Sequence, residues 1–147
     1  MKRSVILLMC AICIFVSGCS GGGETSDADV PKQIDIDLSE MSNVLAYSQI
    51  SSILDSPDDY LDKTIRINGQ YLASFYEETD SYYHFVVVAD SSLCCQYYLE
   101  FELSGESAYP NDYPEENANI EVVGVFARYD ELGETFYHLL VDEISVL

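Results

Sequence analysis

From Lys63 onward the sequence alternates with a period of two, which constrains the fold more than any other feature. In TIRINGQYLASFYEE, Ile65, Ile67, Gly69 and Tyr71 alternate with Thr64, Arg66, Asn68 and Gln70. Successive side chains of a strand point to opposite faces, so this pattern predicts a half-buried strand, with Gly69 a candidate bulge. YYHFVVVA (82–89) predicts a second strand, apolar on both faces. CCQYYLEFEL (94–103) predicts a third, with Cys95, Tyr97, Leu99, Phe101 and Leu103 inward, and Cys94, Tyr98 and Glu100 outward. IEVVGVFARY (120–129) and TFYHLLV (135–141) read as a hairpin joined by Asp130-Glu131-Leu132-Gly133, with the terminal EISVL extending it.

Before these strands, residues 42–56 predict a helix, with Ser42 as cap and Val44, Tyr47, Ile50 and Ile53/Leu54 as its apolar stripe. Ser56-Pro57-Asp58-Asp59 then suits a second, short helical turn. The expected fold is therefore mainly β with an N-terminal helix. Five strands in so short a chain close most economically into a small barrel, which removes exposed edges. The expectation is a five-stranded OB-like β-barrel over 42–147; an open five-stranded sheet on the helix is the alternative. Between the third and fourth strands, where such barrels usually place a helix, residues 104–118 form a polar loop with two Tyr-Pro steps. A loop of that length is usually functional or mobile.

The chain begins MKRSVILLMCAICIFVSGCS. A basic start, an apolar run from Val5 to Val16 and a small-residue site form the layout of a secretory signal peptide, and the run is too short for a membrane span. Val16-Ser17-Gly18-Cys19 resembles the lipobox of bacterial lipoproteins. The resemblance implies diacylglyceryl transfer to the Cys19 thiol, cleavage after residue 18, and a lipid-anchored protein at the extracytoplasmic face of a cell membrane. Two acyl chains suffice for stable anchoring. Residues 19–41, rich in Gly, Ser and Asp, read as a flexible tether with a reach of roughly 25 Å, although Ile34-Asp35-Ile36-Asp37 has a strand's alternation.

Cleavage would remove Lys2 and Arg3 and no acid, leaving 129 residues with four basic against 26 acidic side chains, a formal charge of −22. Such a field repels nucleic acid and anionic lipid headgroups, leaving the lipid anchor as the attachment. The acids are scattered and form no calcium loop. SPDDYLDKTIRINGQY is similar to the P-x-x-Y-x-G-K-x-[VI]-x-[VI]-x-G pattern of OB domains in exported bacterial proteins, with Asp62 in place of the usual Gly. HFVVVADSSLCC, EFEL, YPNDYP and VVGVF look like a group of uncharacterised bacterial lipoproteins. The Cys94-Cys95 segment also resembles the soluble domain of a putative permease-subunit family. These resemblances imply a fold more than an activity.

Cys94 and Cys95 carry the most open chemistry. Three arrangements fit them: a buried and a half-covered thiol, a strained vicinal disulfide, or a Zn or Cu(I) site completed by His84 and His138. Twelve tyrosines and no tryptophan form the other anomaly. Tyr82, Tyr83, Tyr97, Tyr98, Tyr109 and Tyr113 are the candidate contact surface, since tyrosine joins an apolar body to a polar tip. No G-x-S-x-G, H-E-x-x-H or phosphate loop is present. The expectation is a binding module without an enzymatic activity or a required cofactor, with a membrane protein or peptide as candidate partner. The alternative is a thiol-based metal or redox accessory to a transporter.

Overall fold

A computed structural model describes residues 33–90, 92 and 94–147. The expected signal peptide, Cys19 and most of the expected tether lie outside them. The last expected tether residues do not behave as one. Ile36–Asp37 forms β1, parallel to the start of the next strand, and Leu38 is only 3% exposed. The backbone NH groups of Asp35 and Leu38 donate to the carbonyls of Thr64 and Arg66, each at 2.9 Å. Arg66 ties the segment down through Asp37 at 3.0 Å. The packed domain thus begins several residues before position 42.

Helix α1 spans Asn43–Asp55 and buries Ala46, Ile50 and Ile53. The stripe is rotated from the expected one: Tyr47 is half-buried at its edge and Val44 is 60% exposed. Ser42 caps through its backbone alone. A 3-10 turn follows at Pro57–Tyr60. Asp62 then takes a left-handed φ of 63°, filling with a short polar residue the conformation that glycine adopts at least cost.

Five strands make the barrel: β2 (Thr64–Tyr76), β3 (Ser81–Ala89), β4 (Gln96–Leu103), β5 (Asn119–Glu131) and β6 (Glu134–Val146). β2 pairs with β5 over Thr64–Gln70 and with β3 over Gln70–Tyr76. That double pairing closes the ring β2-β3-β4-β6-β5, with β4 and β6 parallel, so the sheet is not open. The architecture is an OB-like barrel preceded by a helix. Closure brings strands very close at Gly69, where a Cβ would lie 2.5 Å from Val86 Cγ1 and 2.6 Å from the Val87 carbonyl oxygen. Gly69 is therefore a site of close approach and not the expected bulge: register is unbroken there, and the irregularity falls at Val122/Gly124.

Alternation is realised as packing. Ile65, Ile67, Tyr71, Val86, Leu99, Phe101, Ile120, Val122, Phe126, Leu139 and Val141 fill the barrel, and Ile50 and Ile53 of α1 join them. At the start of β4, the Tyr97 ring lies tilted against Tyr47, centroids 4.5 Å apart, and its hydroxyl donates to Ser51 Oγ at 2.9 Å, fixing the helix. Toward the other end of β4, Phe101 meets Tyr113 of the Tyr-Pro loop. The last two strands form one hairpin of 13-residue arms. Its turn is only Leu132-Gly133, both at positive φ (51° and 88°), the geometry of a tight primed hairpin turn. Among the described residues no helix is long and apolar enough to cross a membrane.

Candidate ligand-binding cleft

The tip of the β5–β6 hairpin bends over the outer face of β3 and β4. Two hydrogen bonds hold it there. Tyr83 of β3 donates to Glu131 of β5 at 2.6 Å, and Tyr129 of β5 donates to Glu100 of β4 at 2.8 Å. Tyr83, Glu100, Tyr129 and Glu131 form a ridge between two adjoining chambers of about 510 and 580 Å³. The first opens toward the Tyr-Pro loop and is lined by Tyr82, His84, Glu102, Tyr109 and Tyr113. The second lies between hairpin tips and is lined by Tyr76, Glu78, Phe85, Leu132, Glu134 and Phe136. Each has the volume of an ordinary small-molecule site.

Burial sets the electrostatics. Glu100 is pushed up to about 7, by desolvation first and then by the charges of Glu131 and Glu102, against the stabilising bond from Tyr129. Desolvation, with Glu100 beside it, also raises the Tyr129 phenol. Both tyrosines of the ridge are therefore protonated donors.

The structure brings four of the six candidate tyrosines together. Tyr82, Tyr83, Tyr109 and Tyr113 line the first chamber, and the Tyr82 and Tyr109 rings lie 4.3 Å apart. Tyr97 instead secures α1, and Tyr98 is exposed beside Gln96.

His84 and His138 do not complete a site with the cysteines. His84 pairs with Phe101 across the β3–β4 ladder, and Cys95 precedes Gln96, the first residue of β4, which lies five residues and roughly 16 Å along the strand from Phe101. His84 faces the barrel interior, its Nδ1 2.8 Å from the Tyr71 hydroxyl and its ring 3.6 Å from that of Tyr113. Desolvation lowers its pKa to about 4, so it is neutral at physiological pH. His138 is also buried, and desolvation lowers its pKa against the pull of Glu102. Its Nδ1 lies 3.5 Å from Glu102 without a hydrogen bond, a neutral ring beside a carboxylate and not an ion pair.

The cysteines are free and exposed, and neither belongs to β4, so the expected inward Cys95 is overturned. The reason is Asp90. Its Oδ1 accepts from the backbone NH groups of Ser92 and Cys94, and its own NH donates to the Cys95 carbonyl at 2.9 Å, folding the segment into a turn. Freed from strand alternation, the two Sγ atoms point the same way and lie 3.5 Å apart. The Cys94 thiol hydrogen bond and charge hold the Cys95 thiol above its ordinary pKa. Asp90, Cys94 and Cys95 place one ligand atom each within 4.8 Å of one another.

Fold and cleft define the class: a small OB-like barrel that carries a tyrosine- and glutamate-lined groove along β3 and β4. No protein-family profile and no curated protein matches the chain. Among solved structures it is similar to the dimeric structure of the N-terminal domain of PriB protein from Thermoanaerobacter tencongensis. Identity is 17% and the TM-score 0.39, over 57% of this chain and 94% of that one.

Proposed function

We propose that the chain is a lipid-anchored extracytoplasmic lipoprotein whose OB-like domain is a binding module and not an enzyme. The anchor rests on the lipobox resemblance at Val16-Ser17-Gly18-Cys19. Binding rests on one observation: a paired groove of small-molecule size along β3 and β4, walled by the β5–β6 tip. OB barrels present ligands to the corresponding strands and loops. The groove's acidic lining supports a ligand other than nucleic acid, because phosphates would meet carboxylates and no lysine or arginine there.

Two measurements test the two halves. Radiolabelled palmitate should label the wild type in cells and not Cys19→Ser, which should leave the membrane fraction. Amide chemical shifts recorded against a mixed panel of amines, sugars and short peptides should move at Tyr83, Glu100 and Tyr129. Shifts confined to α1 and the Asp90–Gln96 segment would refute the groove.

A second reading draws on the Asp90-Cys94-Cys95 group, where two thiols and a carboxylate converge. It makes the chain a Zn or Cu(I) carrier or thiol-redox accessory to a membrane transporter. Metal analysis and thiol counting on the purified chain decide it: two unreactive thiols and no bound metal would remove it.

A further inference from the structure

We infer that the groove takes a linear aliphatic polyamine, with ammonium groups against its carboxylates and methylenes along its tyrosine rings. The inference rests on the groove being the binding surface and names the ligand's chemical class.

Charge carries the first step. Glu78, Glu102, Glu131 and Glu134 line the two chambers around the half-buried Glu100, and neither chamber is lined by lysine or arginine. Among the described residues the two arginines are engaged elsewhere, Arg66 with Asp37 and Glu121, and Arg128 with Asp58. A cationic occupant therefore supplies the charge the walls lack.

Spacing then separates an organic cation from a metal ion. Among the described residues, the one group of three or more metal-type ligands with atoms within 4.8 Å of one another is Asp90, Cys94 and Cys95. The groove's glutamates are spread along both chambers and do not converge three at a time. A hard divalent ion needs several oxygens about 2.0–2.6 Å away and finds no such cage here. Charges distributed along a flexible chain match this spacing.

The rings supply the remaining specificity. Tyr76 and Tyr83 stand edge to face with centroids 6.4 Å apart, and Tyr129 stacks on Phe136 at 5.5 Å. All four line the second chamber. An ammonium within about 6 Å of a tyrosine ring gains cation–π attraction, and the intervening methylenes gain apolar contact. Because both chambers share the ridge residues, an elongated ligand can cross from one to the other.

Titration calorimetry of the full chain in neutral detergent, with spermidine as probe at about 0.15 M salt, tests this. The expected result is one saturable site that a charge-equivalent excess of Mg²⁺ does not empty. Tyr129→Leu should weaken it about tenfold or more. The double variant Glu78→Gln/Glu134→Gln alters exposed side chains, so it spares the fold and should weaken binding comparably. Glu143→Gln, exposed and outside the groove, should leave it unchanged. Equal heats in all variants, or ready displacement by Mg²⁺, would reduce the signal to counterion condensation and overturn the inference. So would tighter binding of trilysine, which makes the ligand a peptide. Maltotriose binding lost in Tyr129→Leu, with no spermidine site, would overturn the polyamine and keep the groove. Silence of all three probes would remove both.

Discussion

Glu100→Gln should stabilise the domain at alkaline pH and do little at acidic pH. The carboxyl sits half-buried under the hairpin tip with its pKa raised from 4.5 to about 7. A raised carboxylate pKa means that the folded state binds a proton the unfolded chain has released. Stability therefore falls as pH rises from about 4.5 to about 7, and the full cost of ionised Glu100 remains above that window. A shift of this size is worth on the order of 3 kcal/mol, an upper figure because the side chain keeps some contact with solvent. Glutamine keeps a carbonyl to accept from Tyr129 and carries no charge to repel Glu131 and Glu102. The variant should gain about 1–3 kcal/mol at pH 8 and converge on the wild type near pH 5. Only the difference between the two proteins is diagnostic. Buried neutral His84 and His138 have lowered pKa values and slope the other way, losing stability as pH falls below their ordinary value. Their contribution is common to both proteins and cancels. Urea unfolding followed by far-UV circular dichroism, at fixed ionic strength and four pH values, gives that difference. A difference independent of pH, or a Gln variant less stable at pH 8, would show that burial does not raise the Glu100 carboxyl.

Three further substitutions probe the frame around the groove. Tyr71→Phe strands the buried His84 Nδ1 without its 2.8 Å partner and should cost about 1–3 kcal/mol in the same denaturation assay. Gly69→Ala forces a methyl against the Val87 backbone, which cannot rotate away, and should cost about 3 kcal/mol or prevent folding, read by expression and circular dichroism. Leu132→Asn relieves a branched side chain held at φ 51° and should add up to about 1 kcal/mol, visible as a higher Tm.

Legibility in the sequence follows the range of each signal. Strand alternation is local, so all five barrel strands and the inward face of Tyr97, Leu99, Phe101 and Leu103 are readable from residues 64–146. Cys94 and Cys95 are misplaced because alternation holds only inside a ladder, and Asp90 ends that ladder with side-chain bonds no periodicity encodes. Four groove tyrosines are legible as a class, since tyrosine suits contact surfaces. Glu100, Tyr129 and Glu131 are not: their meeting depends on a hairpin tip bending back across the barrel, and each alone looks like an ordinary outward residue. His84 and His138 mislead for a related reason. A histidine on a strand carries no mark of which face it takes, and both are buried as uncharged rings.

The 13-residue arms of β5 and β6 do two jobs with one ribbon. Their lower halves are staves of the closed barrel, and their upper halves wall the groove. Because the pleat repeats every two residues, lengthening both arms by a pair would raise that wall without disturbing a single stave. The depth of the groove can thus change through the length of one hairpin while the scaffold stays fixed.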